Sequence, residues 1–396
     1  MTEYNGAMPA RQPFAPSEVL LLGPGPSPVS AGVRAAMGAP TLGHLDPEFL
    51  GLMDRVQNDL RALFGTASDF TLPISGTGSA GMETCLVNLL EPGDRVVVGV
   101  HGVFGERMVD LARRQGADVV EVRAEYGEAL DPARMAQAIA GGPTAAVAFV
   151  HAETSTGVLQ PVEDIARAAK AAGALLILDC VTSLGGAPVT LDAWGVDAAY
   201  SGTQKCLSVP PGLSPLSFSA AAMQRAAHRR SASPSWYLDV NLLGGYWGGE
   251  RVYHHTAPIN QVYGLAAGLD DALDEGLPAR QQRHRDVADA LYRGVEALGL
   301  GCLVPAALRT PMLTSVCVPD GVDEAAVRRV LRQDHDIEIG GGLGPLKGRV
   351  WRIGLMGHGA RESSVRRVVA GLADALARQG HQVDSANAQQ AIAATP

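Results

Sequence analysis

A lysine, an aspartate and a glycine-rich turn are the residues whose types and spacing bear on chemistry. Asp179 directly follows the aliphatic run Ala174, Leu175, Leu176, Ile177, Leu178. A carboxylate at the end of such a run needs a partner once it is buried, either a capping or salt-bridging group of the following loop or a ligand nitrogen. Lys205 follows Tyr200, Ser201, Gly202, Thr203 and Gln204, a stretch with no other positive charge, and the nearest acid upstream is Asp197. An amine among apolar and hydroxyl neighbours loses hydration, so its pKa falls and it becomes a nucleophile or Schiff-base former. The plain alternative is a solvated surface lysine. Ser75 to Glu83 (SGTGSAGME) leads into Thr84 to Leu90, which has helical character. A helix start rich in free N–H groups and hydroxyls holds a phosphate, or else merely caps its helix. Gly76, Gly78 and Gly81 also satisfy GxGxxG. A dinucleotide fold, however, wants an acid closing the next strand; Asp94 precedes the strand Arg95 to Val100, whose end offers only His101.

The elements that must position these residues alternate. Short aliphatic runs at Arg95 to Val100, Ala145 to Val150, Leu175 to Leu178 and Ala198 to Tyr200 read as buried strands. Between them, Gly105 to Arg114 and Val162 to Ala172 place apolar residues at helical spacing. The pattern predicts an α/β domain with a mainly parallel sheet, whose ligands gather beyond the carboxyl ends of the strands. Trp236 to His255, with Gly244, Gly245, Gly248 and Gly249, reads as an ordered loop. A long helix from Ile259 to Leu298, interrupted at Leu277 and Pro278, leads to a smaller α+β part with strands near Thr314 to Val318 and Val350 to Gly354. The boundaries predicted are an N-terminal arm over 1–20, a large domain over 21–270, a small C-terminal domain over 271–380 and a disordered tail over 381–396, which is rich in Ala, Gln and Asn without periodicity.

At 396 residues the chain exceeds one ordinary domain. The net charge of -9, with arginines scattered singly or in pairs, disfavours nucleic acid as a partner. Five cysteines without CxxC spacing argue for a reducing, cytoplasmic setting. No stretch approaches the roughly 18 apolar residues of a membrane span, and the segment Met1 to Pro16 carries Glu3, Arg11 and three prolines where a secretion signal needs an apolar core. His254 and His255 are adjacent, so in a strand they point opposite ways, and no third ligand lies at a usual spacing; no metal is expected.

A phosphate cradle, a carboxylate after one strand and a lysine after the next together meet the needs of pyridoxal 5'-phosphate: a phosphate site, a partner for the pyridine nitrogen and an amine for the aldehyde. The stretches LLGPGP (Leu21 to Pro26), SGTGSAGME, ETSTGVLQP (Glu153 to Pro161), DCVTSLGG (Asp179 to Gly186), SGTQK (Ser201 to Lys205), YHHTAP (Tyr253 to Pro258) and RIGLMG (Arg352 to Gly357) resemble the class V aminotransferases, nearest to the alanine-glyoxylate branch, from about Leu20 to Leu376. The resemblance implies the three-layer αβα architecture of fold type I pyridoxal phosphate transferases. It implies that Lys205 binds the cofactor covalently and that Asp179 pairs with its ring nitrogen. Val181 presses on one ring face and Phe104 stands on the other, where the family often has Trp. Gly78, Ser79 and Gln204 hold the phosphate together with Tyr253 and Thr256 from a neighbouring subunit, and Thr154 or Ser155 holds the ring substituents. Arg352 clamps the substrate carboxylate, and the loop containing Gly25 closes over it. The implied activity is transfer of an amino group from a small amino acid, alanine first, to glyoxylate by a ping-pong route, in a homodimer with shared sites. Serine-glyoxylate and pyridoxamine-pyruvate transamination are the alternatives.

Overall fold

The computed structural model describes residues 14–393, so most of the predicted N-terminal arm lies outside the described residues. Seven strands form the central sheet: β1 (Phe70–Ser75), β2 (Arg95–Val100), β3 (Asp118–Arg123), β4 (Ala146–Val150), β5 (Leu175–Asp179), β6 (Ala198–Tyr200) and β7 (Leu213–Phe218). Their spatial order is β1-β7-β6-β5-β4-β2-β3. Strands β2 to β6 pair in parallel, and β7 alone is antiparallel to both neighbours. Parallel strands are covered on both faces, which is why all five residues of β4 are buried aliphatic or aromatic groups. Crossover helices Gly78–Leu89, Val103–Arg114, Pro132–Ala140 and Glu163–Ala171 complete the three αβα layers. Because β1, β2, β4, β5 and β6 point the same way, Ser75, His101, His151, Asp179 and Ser201 all emerge along one edge of the sheet.

Apolar side chains gather in two main bodies. One surrounds the central sheet and takes in helix Pro47–Phe64 and helix Ile259–Glu275. The other surrounds a three-stranded antiparallel sheet of Leu313–Cys317, Val350–Gly354 and Gly340–Gly341, with Val350–Gly354 in the middle. The predicted long helix breaks at Gly276, φ +80°, one residue before the expected Leu277 and Pro278, which instead open helix Leu277–Ala297.

Three expectations need correcting. Leu20–Leu21 pairs in parallel with Ile337–Glu338 and Leu22 is buried in the second body, so residues 20–22 attach to the smaller half and do not open the larger one. Trp236 to His255 is not loop throughout, because Asp239 caps helix Val240–Trp247, whose Val240, Leu243, Tyr246 and Trp247 are buried at helical spacing among the glycines that hid them. The tail over 381–396 is not disordered across the described residues. Helix Ser385–Ala393 buries Ala388 and Ile392, one turn apart, against helix Leu277–Ala297. Arg293 donates to the carbonyls of Ala391 and Ile392, and the space for Ile392 exists because position 294 is glycine: a Cβ there would stand 3.0 Å from Ile392 Cγ1. Ile392→Ala is therefore expected to cost about 2–3 kcal/mol in denaturant unfolding, as for other buried aliphatic truncations; a change under about 0.5 kcal/mol would mean that this helix does not dock.

Candidate active site

The strand edge holds a cavity lined by Gly78, Ser79, Phe104, Thr154, Val181 and Gln204, with Asp179 and Lys205 across it. Eight of the residues named from sequence thus line one cavity. Two more reach it indirectly. Arg352, on the middle strand of the small sheet, donates from Nη1 to the Thr154 carbonyl at 3.0 Å and from Nε to the Gly341 carbonyl at 2.7 Å. Gly25 lies over the lysine: a Cβ there would stand 2.8 Å from Lys205 Cδ, so only glycine lets the N-terminal loop pass, and its φ of +108° asks for glycine as well. Tyr253 and Thr256 do not line this cavity. They hydrogen-bond to each other at 3.2 Å, and Tyr253 is 54% exposed.

Lys205 sits in the turn after β6, where several loops fix its backbone. Ser27 Oγ donates to the Lys205 carbonyl at 2.6 Å, Arg280 donates to the Cys206 carbonyl at 2.7 Å, and Lys205 Nζ donates to the Pro24 carbonyl. Burial, together with the nearby positive Arg352, lowers its pKa to about 8. The amine is thereby held ready to lose its proton near neutral pH.

Asp179 accepts from the Tyr200 hydroxyl at 2.7 Å on one oxygen and from the Val181 N–H at 2.8 Å on the other. Both donors are neutral. Burial consequently pushes its pKa up to about 6, against the pull of those two hydrogen bonds. A buried carboxylate that keeps spare lone pairs suits a cationic N–H, which is what a protonated pyridine ring presents. The glycine-rich turn opens helix Gly78–Leu89; Ala80 N–H donates to the Thr77 carbonyl at 2.7 Å, but Thr77 makes no side-chain cap bond, so the Gly78 and Ser79 amides stay available to an anion. Gln204 Oε1 is buried with no hydrogen-bond partner; being an acceptor it cannot itself meet a phosphate, so Gln204 would contact one through its Nε2 donors. The residues present fit pyridoxal phosphate at both ends.

Asp179 also gives a stability prediction for the cofactor-free protein. Its pKa in the fold exceeds the ordinary 3.8, so the folded state binds the proton more tightly. The folded form is favoured at low pH, and this advantage is lost as pH rises from about 4 through 6. Compared with Asp179→Asn, which cannot titrate there, the cofactor-free wild type should lose roughly 2–3 kcal/mol over that window and nothing further above it. Unfolding curves of both proteins at several pH values test this; a difference independent of pH would refute the buried, unpaired carboxylate.

The described part of the chain covers the family whose name is Aminotransferase class-V over residues 33–354. The chain belongs to the class-V aminotransferases. Among solved structures this aminotransferase is similar to an alanine-glyoxylate aminotransferase from Nostoc sp., with 48% identity and a TM-score of 0.91, covering 92% of this chain and 97% of that one. A curated relative, (S)-ureidoglycine-glyoxylate transaminase of Bacillus subtilis, is 36% identical over 389 residues, 94% of each chain. A pyridoxamine-pyruvate aminotransferase from Mesorhizobium loti has 28% identity and a TM-score of 0.91, covering 96% of this chain and 98% of that one.

Three residues of the aminotransferase site were not singled out from sequence. Tyr200 reads as a strand residue, yet its hydroxyl steers Asp179. Glu153 is fully buried, and burial raises its pKa even though Ser155 donates from both N–H and Oγ, at 3.0 and 2.6 Å, and Phe104 N–H donates at 3.2 Å. It anchors the start of helix Val103–Arg114 and stands as the negative group opposing Arg352, whose own pKa burial lowers to about 10. A Cβ on Gly102 would meet its Cδ at 2.4 Å, so the glycine is required by close approach. Arg107, one turn along that helix, also lines the cavity. The burial of Glu153 and Tyr200 depends on which strands become neighbours, which no local spacing records.

Proposed function

We propose that this aminotransferase carries pyridoxal 5'-phosphate on Lys205 and moves the amino group of a small amino acid, alanine first, to glyoxylate, giving pyruvate and glycine. The observation that carries the reading is the pairing of a buried lysine of lowered pKa with a buried carboxylate hydrogen-bonded only by neutral donors, in one cavity that a glycine-rich helix start also lines. The relatives support it by name, since two of the three act on glyoxylate. Bound there, pyridoxal phosphate supplies an aldehyde for amines and a protonated ring that accepts electrons when a Cα proton leaves.

The chain's own residues do the rest. Asp179, held by Tyr200 and Val181, keeps the proton on the ring nitrogen. Gly78, Ser79 and Gln204 hold the phosphate, Val181 and Phe104 enclose the ring, and Thr154 meets its substituents. Lys205 would supply the covalent anchor for the cofactor and the base for the Cα proton, and its lowered pKa suits that task. Arg352 holds the substrate carboxylate through its planar fork. Donor and acceptor use the same arginine in turn, so ping-pong kinetics follow. The loop at Pro24 and Gly25 covers the lysine and excludes water.

Tyr253 and Thr256 point to a homodimer in which each chain completes the phosphate site of the other. Their segment is anchored at home by Ser75 Oγ, 2.6 Å from His255 Nε2, and is flanked by exposed Trp236, Tyr237, Leu242 and Val252. Five unpaired cysteines suit a cytoplasmic protein, and no helix of the described residues is long and apolar enough to cross a membrane. Parallel assays with alanine, serine and pyridoxamine as donors, each against glyoxylate and pyruvate, decide the substrates. Turnover of alanine with glyoxylate is expected; its absence would hand the site to a sibling donor.

A further inference from the structure

Arg107 is the feature of the cavity that the roles above leave unused. It lies on helix Val103–Arg114, three residues after Phe104 and so on the same face. Its guanidinium carbon stands 4.9 Å from the centre of the Phe104 ring, and Nη1 donates to Ser79 Oγ at 3.1 Å. No carboxylate among the described residues forms an ion pair with it, although Glu106 and Asp110 on the same helix are engaged by Arg123 and Arg114. Besides Lys205, it is the cationic side chain of the lining.

The proton arithmetic gives that contact a direction. An arginine has no acceptor, so Ser79 Oγ receives from Nη1 and its own hydrogen is free to turn inward. At the helix start the groups facing the phosphate site are then donors, namely the Gly78 and Ser79 amides, the Ser79 hydroxyl and the guanidinium, and Gln204 joins them only through its Nε2. Such a set fits a dianion and would repel an uncompensated cation. Phe104 plays two parts, as a face for the ring and as a platform that keeps Arg107 beside Ser79.

We propose that Arg107 is the cationic contact of the cofactor's phosphate, held over the glycine-rich turn by its stacking on Phe104 and its hydrogen bond to Ser79. This rests on the cofactor reading above and adds to it the residue that balances the phosphate charge. The arginine is exposed in the cofactor-free protein, so solvent screens it and the effect on affinity is moderate.

Binding of pyridoxal phosphate and of pyridoxal, which lacks the phosphate, to the cofactor-free protein separates the possibilities. In Arg107→Gln the dissociation constant for pyridoxal phosphate should rise about tenfold, as for loss of one charge-assisted contact, while that for pyridoxal moves less than about twofold. Arg107→Lys should lie between, because the charge stays and the fork is lost. Inorganic phosphate should raise the melting temperature of the cofactor-free wild type and do so less in Arg107→Gln. Equal weakening of both probes would overturn the proposal, since Arg107 would then act only through the ring of Phe104. Unchanged binding of pyridoxal phosphate would overturn it as well. A wild-type chain that binds neither probe would sink the cofactor reading and this proposal together, whereas a wild type that binds both, matched by the variant, would sink the proposal alone.

Discussion

Lys205→Ala should abolish transamination, lowering turnover at least about 10⁴-fold, because one substitution removes both the covalent anchor and the base. The fold should survive. The turn's backbone is held by Ser27, Arg280 and Ser208, whose bonds go to main-chain atoms, and only the Pro24 carbonyl loses a partner. Lys205→Arg keeps a charge but is never deprotonated, so it should be as inactive as alanine. Capture of added cofactor by the wild type should depend on pH with the sign set by the amine: slow below the Lys205 pKa of about 8, where it is an ammonium ion, and level above it. Hydride treatment followed by peptide mapping should find the added mass on Lys205. If the mass appears elsewhere, or if the alanine variant still turns over alanine and glyoxylate, the assignment of this residue fails.

What the sequence made legible follows from how each signal is encoded. The parallel strands β2, β4, β5 and β6 stand out as aliphatic runs because both their faces are covered, and Asp179 and Lys205 stand out because they interrupt such runs at the ends. β1 and β7 are harder to read, because each carries a proline, which weakens the strand signal. In the sheet Pro73, on the edge strand, and Pro215 are register partners; Ser201 N–H donates to the Pro215 carbonyl, and the Ser201 carbonyl, which Pro215 cannot serve, accepts from Ser214 Oγ at 2.6 Å. β3, at the sheet edge, reads DVVEVR, with charged ends and Glu121 between its valines, so it shows no continuous apolar run. The C-terminal helix was missed for another reason. Its buried stripe is only Ala388 and Ile392, too short to register as a period, and the cleft that receives it exists only after Gly294 is in place. In the site the same division holds. Side chains at strand ends were found by position, whereas Glu153, Tyr200 and Arg107 gain their roles from neighbours distant in sequence.

Arg352 supports the second large prediction, and its geometry says why. Nε and Nη1 are tied to the carbonyls of Gly341 and Thr154, so the plane of the guanidinium is fixed before any substrate arrives. Nη2 has no protein acceptor among the described residues. The group is 6% exposed; burial lowers its pKa to about 10 against the pull of Glu153, so it stays a cation at neutral pH. Position 340 is glycine for the same neighbourhood: a Cβ there would stand 2.6 Å from Pro24 Cδ and 3.5 Å from Arg352 Nη2, so the arginine and the loop over Lys205 close on one spot. Arg352→Ala should therefore lower kcat/KM by about 100-fold, roughly 3 kcal/mol for a desolvated charge-assisted contact, for alanine and glyoxylate alike. Arg352→Lys should recover little, because a point charge on a flexible stem cannot hold both carbonyls and a carboxylate. The discriminating control is an amine without a carboxylate. If Arg352 binds the carboxylate, the slow reaction of such an amine is the same in wild type and variant. If instead Arg352 matters through the shape of the cavity or the charge near Lys205, both substrate classes suffer equally, and the clamp has to be sought elsewhere.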